Sequence, residues 1–241
     1  MFMATLAAVT LAASSEAILV QTTFARLRQL AAESKSIRAE FTLTTNDFAT
    51  ERVQLFDGKF VMLRTKDDLF AKLEFHNREN NNQQAFVYRA GKVHVIDTAS
   101  KSVTVFRPAN VLRSAAKWVF PPVALLDDAT SSDTYSWKIV MREKWYTHFD
   151  LKPQDPKSTR VPGRVVIVRR ANDDIPVGLP RQLRQDLHGS RRTTWDFRSW
   201  TLNGKNPPSI KDFNVPTAKD GWKVSVMAGV RKDDFRLFEN K

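Results

Sequence analysis

The spacing of apolar residues changes from a helical period to a strand period near the N-terminus. In residues 18–33 one face carries Val20, Phe24, Leu27 and Ala31. This spacing predicts an amphipathic helix. From Ser36 onward the period is two, so that one side of the segment is apolar and the other is polar. Such alternation is typical of an antiparallel strand with one face in water, and we expect the first strand of a sheet here.

Alternating segments then follow one another as far as residue 106, with turn residues between them. Asp57-Gly58 predicts a tight hairpin, because a two-residue turn needs positive φ. Ala90-Gly91 predicts another. The expected strands are one that starts at 36, one that ends at 56, and then 60–64, 69–75, 85–88, 92–96 and 102–106. Regular strands joined by short turns describe a β-meander.

The alternation stops at Pro108, a residue that suits the first turn of a helix. Residues 109–117 contain good helix formers, and Pro121-Pro122 interrupts them. One or two short apolar helices are therefore expected between two β regions. The strands expected after them are 135–142, 145–151, 164–169, 180–187, 191–200 and a short one at 210–215.

The N-terminal residues have the outline of a secretory signal peptide. Residues 1–13 are nearly all apolar, and Ser15-Glu16-Ala17 offers a small-x-small cleavage pattern, although no Lys or Arg precedes the run. The run is too short to span a bilayer comfortably. We expect residues 1–17 to be a signal peptide, and residues 18–241 to form one soluble periplasmic domain whose charged tail, 218–241, is peripheral.

The sequence offers little catalytic or metal chemistry. It has no Cys, which excludes disulfides, zinc–thiolate sites and cysteine nucleophiles. The four His stand in no metal-binding pattern, and there is no P-loop, Gly-x-Ser-x-Gly elbow or dinucleotide turn. Four Asp pairs fall where turns are expected, a role that suits Asp. We expect no catalytic residue, no metal and no cofactor, but carboxylates that converge from distant segments stay possible.

The net charge of +12 should attract anions, although 38 Lys and Arg are spread among 26 acidic residues. We interpret this charge as a solvated basic surface. Basic and aromatic residues interleave in 191–198, a pattern that single-stranded nucleic acid could bind. In a strand, however, Trp195 and Phe197 face one side while Asp196 and Arg198 face the other. This separation favours a role in the core, and we expect no nucleic-acid partner.

Several stretches, and the order in which they occur, resemble the LolA family, the periplasmic carriers of outer-membrane lipoproteins, and especially LolA-like proteins of planctomycetes. FARLRQLAAESKSIRAEFTLT looks like the first helix and strand of the family. LFDGKFVMLR and AGKVHVIDTASKSVTVFRP look like its hairpins, and FAKLEF lies where the family usually has an Arg-Leu or Arg-Trp pair. GLPRQLRQDLHGSRRTTWDFRSWTLNGKNPPSIKDFNV resembles its closing segment.

The resemblance implies a mainly β fold with some α: a curved antiparallel, unclosed β-barrel with helices covering the open side. Its apolar concave face would take up acyl chains of lipoproteins or other lipids. The protein would be a monomer that exchanges cargo with inner- and outer-membrane transfer partners. The residues expected to line the ligand are Phe41, Leu43, Met62, Leu73, Phe75, Trp118, Phe120, Trp137, Trp145, Phe149, Trp195 and Phe197.

Two alternatives stay open at this point. One is an envelope interaction or scaffold domain that keeps the same fold but has a filled core. The other, less favoured, is a hydrolase that uses carboxylates brought together by the fold.

Overall fold

The computed structural model describes residues 2–107, 135–155, 162–170, 174–187 and 190–228. One long helix, α1, spans Phe2–Glu33. The strands are β1 Ser36–Asp47, β2 Arg52–Arg64, β3 Leu69–Asn77, β4 Gln83–Arg89, β5 Lys92–Asp97, β6 Ser102–Arg107, β7 Tyr135–Arg142, β8 Tyr146–Pro153, β9 Gly163–Val168, β10 Pro180–Leu187, β11 Arg191–Leu202 and β12 Lys223–Ala228. Two short 3-10 helices, Ile210–Phe213 and Ala218–Asp220, lie between β11 and β12.

The twelve strands form one open, curved sheet in the order β12-β6-β5-β4-β3-β2-β1-β11-β10-β9-β8-β7. Neighbouring strands are antiparallel except β6 and β12, which are parallel. β1 pairs with β11, so strands from the two ends of the chain meet at the centre of the sheet. Among the described strands, β7 and β12 are the two edges and each has one neighbour, so this sheet does not close into a barrel.

The larger core lies on one face of this sheet. The alternation predicted from the sequence sets its membership: Ala71, Leu73 and Phe75 of β3 point into it. From α1, Leu27 is buried in the same core, and Val20 and Leu30 pack against it. The predicted mainly β class is thus confirmed, and of the predicted apolar helix face Val20 and Leu27 lie on this core. The helices predicted within residues 108–126 lie outside the described residues.

A second, smaller core lies on the opposite face, over β3 to β6. Phe70 of β3, Val87 of β4 and Val105 of β6 point towards it, out of phase with the residues of the larger core. The segment that follows β11 crosses this face and buries Phe213 against Phe70, with ring centroids 5.6 Å apart. This half of the sheet is therefore covered on both faces.

Three local features differ from or extend the sequence predictions. The hairpin predicted at Asp57-Gly58 is wrong, because β2 runs without a break through both residues. The strand predicted at 210–215 is also wrong: residues 210–213 form a 3-10 helix, opened by Ser209 and Asp212, that packs on the sheet instead of joining it. Part of the predicted tail, residues 223–228, forms the edge strand β12.

The hairpin at Ala90-Gly91 is confirmed, with φ of 47° and 70° at its two residues. Positive φ at both positions is what a type I′ turn requires.

The segment predicted as a signal peptide is the first part of α1, and its removal stays a prediction. Among the described residues, no helix has both the length and the apolar character that crossing a membrane needs.

Candidate functional site

The structure brings most of the predicted lining residues together on the inner face, which we define as the side of the sheet that carries the larger core. Eight of them are buried in that core: Phe41, Leu43, Met62, Leu73, Phe75, Phe149, Trp195 and Phe197. Trp137 of β7 packs against the same core. Trp145 lies apart, 44% exposed in the turn before β8, where Lys144 stands over its ring. Trp118 and Phe120 lie outside the described residues.

A glycine lets the rings of two non-adjacent strands meet. Phe41 of β1 lies opposite Gly58 of β2, which in turn lies opposite Phe75 of β3. A Cβ atom at position 58 would lie 2.0 Å from Cε2 of Phe41. Because Gly58 has no side chain, the Phe41 and Phe75 rings approach to 5.8 Å between centroids. The glycine that suggested a turn is thus a packing position inside a strand.

Trp195 completes an aromatic cluster with these two rings. Its centroid lies 4.9 Å from that of Phe41 and 5.7 Å from that of Phe75. The ring of Phe197, whose centroid lies 5.9 Å from that of Phe41, contacts the ring of Trp200 in turn, with centroids 4.8 Å apart. Tilted and edge-to-face pairs of this kind each contribute about 0.5–1.5 kcal/mol beyond their burial.

The two tryptophans of β11 differ in their hydrogen bonding. Trp200 donates its indole N–H to the carbonyl oxygen of Pro180, at 3.0 Å. The indole nitrogen of Trp195 is buried, and no residue of the described part of the chain accepts a hydrogen bond from it. Sequence reasoning could place Trp195 on the inner face but could not find this lone donor, since it depends on what the fold brings near it.

Two open grooves of the described residues lie away from this cluster. One, of about 500 Å³, separates α1 from β7 and is lined by Ser15, Glu16, Ile18, Leu19, Thr22, Ile139 and Arg142. Glu16 spans it by accepting a hydrogen bond from the backbone N–H of Ile139, at 3.0 Å. The other, of about 630 Å³, is on the side of the smaller core and is lined by Arg89, Asn214, Val215, Pro216, Thr217, Asp220 and Trp222. None of the ten predicted lining residues that the structure describes borders either groove.

Carboxylates on the other side of the sheet are paired with arginines. Asp57 accepts two hydrogen bonds from Arg78 and one from Arg198, each at 2.8 Å. The hydrogen bond from Arg78, together with the charges of both arginines, holds the pKa of Asp57 below its usual value. Such carboxylates stay ionised, whereas a general acid needs a raised pKa. No cluster of three His, Asp or Glu able to hold a metal occurs in the described ranges.

His94 should make the stability of the protein depend on pH. It lies on the side of β5 that faces the smaller core, opposite Val87 and Val105. Burial lowers the pKa of His94 below its ordinary 6.5, and the charges of Arg89 and Lys92 lower it further. As the pH falls below about 6.5, the unfolded chain takes up this proton before the folded chain does, so the folded state loses stability.

His94→Gln removes this proton uptake. We expect the free energy of unfolding to fall less steeply between about pH 7 and about pH 5 in the variant than in the native chain. Urea titrations across that range would measure both slopes. Equal slopes would show that His94 is protonated alike in the folded and unfolded chains.

Comparison with known proteins shows a likeness of fold. Neither a protein-family model nor a curated protein matches the sequence. An uncharacterized conserved protein from Thermus thermophilus is 8% identical, with 86% of this chain and 98% of that chain covered and a TM-score of 0.50. This chain therefore shares its fold with that protein. Solved structures similar to this chain also include a proposed outer membrane lipoprotein-sorting protein domain from Vibrio parahaemolyticus. It is 14% identical, with 79% of this chain and 94% of that chain covered and a TM-score of 0.41. The lipoprotein LppX from Mycobacterium tuberculosis matches at 12% identity, coverage of 79% and 98%, and TM-score 0.43.

Proposed function

We propose that this LolA-like chain is a non-enzymatic periplasmic carrier that binds the acyl chains of lipoproteins or other lipids against its inner face. The continuity of that face carries the proposal. The apolar and aromatic residues of the larger core run without a break from Leu73 on β3 to Phe149 on β8. Among the described residues, the buried polar side chains at inward positions of these strands are Gln54, Asn77 and Thr147, and no buried side chain is ionisable. Burial of one methylene contributes about 0.8 kcal/mol. One long acyl chain would therefore gain on the order of 10 kcal/mol before entropy costs.

The groove between α1 and β7 supports an entrance for such a chain. β7 is an edge of the described sheet, so among the described strands only β8 pairs with it. Ile18, Leu19 and Ile139 give the groove apolar walls. Ile139 also packs against the larger core, so the groove borders that core. An entering acyl chain would move α1 away from β7 and then separate aromatic rings of the larger core.

A second candidate function is an envelope interaction domain with a filled core. The close packing of the inner face favours it: Phe41, Leu73 and Phe149 are each 0% exposed. Neighbouring rings contact one another directly, with centroids 5.8 Å apart for Phe41 and Phe75 and 4.9 Å apart for Phe41 and Trp195. In this alternative the rings only stabilise the fold, and partners bind elsewhere.

Ligand extraction and binding discriminate between the two functions. The full chain, purified without detergent, is extracted with organic solvent for mass spectrometry and is then titrated with a fluorescent fatty acid. A carrier should release lipid or bind the probe near one equivalent. Protein that contains no lipid and binds no probe would overturn the carrier and leave the filled-core domain.

A charge at the proposed entrance provides the matched test. Ile139→Arg places a guanidinium in the groove, and we expect it to weaken probe binding by at least about tenfold, since an apolar chain must pass a charged group. Val140→Arg is the control, because Val140 is the next residue of the same edge strand, is 44% exposed and does not line the groove. Equal affinities in the two variants would place the entrance elsewhere.

A further inference from the structure

The indole N–H of Trp195 is a polar group in an apolar part of the larger core, and it forms no hydrogen bond with the described residues. The residue is only 2% exposed, and its indole nitrogen has no hydrogen-bond acceptor among the described residues. A buried donor without a partner is costly, and native structures contain few of them. Each one therefore calls for a reason, and a ligand that supplies an acceptor is one such reason.

Trp200 shows that the same strand can satisfy an indole when the fold requires it. Trp200 is also buried, at 4% exposed, and its N–H is bonded to the carbonyl oxygen of Pro180. Both side chains belong to the larger core. The difference between them is therefore one of partners and not of depth.

The surroundings of Trp195 set the chemistry of the missing acceptor. Phe41 packs against its ring at a tilt and Phe75 packs edge-to-face, and Leu183 and Leu43 lie opposite it on the two neighbouring strands. Within the described ranges no buried residue is ionisable, and the buried polar residues are Ser34, Ser36, Gln54, Asn77 and Thr147. A carboxylate would lose its hydration here without a cation to compensate, whereas a neutral carbonyl oxygen would lose little and accept the bond.

We propose that the Trp195 indole N–H donates a hydrogen bond to the ester or amide carbonyl oxygen of a bound acyl chain, and so selects acylated lipids over bare hydrocarbon. This inference rests on the proposed carrier function and names its ligand class more closely. The Phe41 and Phe75 rings would contact the methylenes next to that carbonyl. The lone donor would then be satisfied only in the loaded protein.

Three probes of equal chain length test the proposal on the full chain: methyl palmitate, hexadecane and palmitate. Each is measured by its competition with a fluorescent lipid in the native chain, in Trp195→Phe and in Trp200→Phe. We expect the native chain to bind the ester about tenfold more tightly than the alkane, because this ratio corresponds to the net free energy of one hydrogen bond. Trp195→Phe should lose this preference while it still binds hexadecane. Trp200→Phe should keep it.

The outcomes separate this inference from the function on which it rests. If Trp195→Phe keeps the ester preference, or if the native chain binds palmitate more tightly than the ester, the role of Trp195 is overturned although the carrier stands. If no probe binds to the native chain, the carrier itself fails and the inference fails with it.

The free protein offers an independent check. Both Trp→Phe changes remove a similar volume from the core, but only Trp200→Phe leaves a carbonyl oxygen without its donor. We expect Trp200→Phe to lower the melting temperature by about 3 °C more than Trp195→Phe does. An equal loss would show that Trp195 already has a partner in the free chain and would overturn the proposal. If Trp195→Phe does not fold, NMR of the native chain provides the test. The indole N–H resonance of Trp195, assigned by its contacts with Phe41, must shift downfield when the ester is added and must not shift when the alkane is added.

Discussion

Gly58→Ala is expected to lower the free energy of unfolding by about 3 kcal/mol or more, a large effect for the addition of one methyl group. The new Cβ would lie 2.0 and 2.1 Å from Cε2 and Cζ of Phe41. That ring cannot swing aside easily, because Trp195, Phe75 and Phe197 surround it. Either β1 and β2 must separate or the aromatic cluster must rearrange. Denaturant unfolding, with near-UV circular dichroism for the rings, would measure the loss.

Two further variants show whether the clash with Phe41 is the cause. Phe41→Leu shortens the side chain that the new methyl group meets, so the double variant should lose at least about 1 kcal/mol less than the sum of the two single losses. Gly221→Ala is the matched glycine control: nothing lies within 4 Å of its added Cβ, and only its φ of +79° opposes the change. We expect it to cost about 1 kcal/mol. A loss in Gly58→Ala no larger than in Gly221→Ala would contradict the packing argument.

The same glycine shows why local sequence signals predict strands better than turns. Asp-Gly between two alternating segments is a strong hairpin signal, and at Ala90-Gly91 similar reasoning is correct. At Asp57-Gly58 the competing demand comes from Phe41 and Phe75, which lie far away in sequence and meet at this position only after β1, β2 and β3 have paired. A register that brings two large rings onto one position overrides a local preference for a turn.

The inner face could be predicted to a considerable extent because alternation fixes the side of a strand to which each residue points. This parity placed Leu43, Leu73 and Trp195 together correctly. It does not apply to Trp145, which lies in a turn where no pleat sets its direction. The unpaired N–H of Trp195 could not be predicted for another reason. Whether an indole has an acceptor depends on all the residues that the fold brings near it, and these are remote in sequence.

The smaller core was not predicted, because the segment that creates it is remote in sequence from the strands that it covers. Phe70, Val87 and Val105 occupy positions that the alternation assigns to the wet side of a meander. They are buried because residues after β11 return across that side. The pattern within each strand does not show that this return occurs.

Phe213 holds the segment after β11 against the sheet. We expect Phe213→Ala to lower the free energy of unfolding by about 3–4 kcal/mol. Its side chain is 0% exposed and packs on Phe70. Removal of the ring would leave a cavity over the sheet that a short 3-10 helix is poorly able to fill. The hydrogen bonds from Arg89 to the carbonyl oxygen of Phe213 and to Asn214, both 3.3 Å long, are partly exposed and would not hold the segment alone.

Ile210→Ala is the matched control for this prediction, because Ile210 opens the same 3-10 helix but is 50% exposed. We expect its effect to stay within about 0.5 kcal/mol. In Phe213→Ala, residues 203–222 should also become sensitive to limited proteolysis and lose amide protection, while β1 and β11 at the centre of the sheet stay protected. Equal stability and equal protection in the two variants would mean that the segment is held by contacts other than Phe213. The selective loss would show instead that one buried ring from the C-terminal part of the chain holds the cover of the smaller core in place.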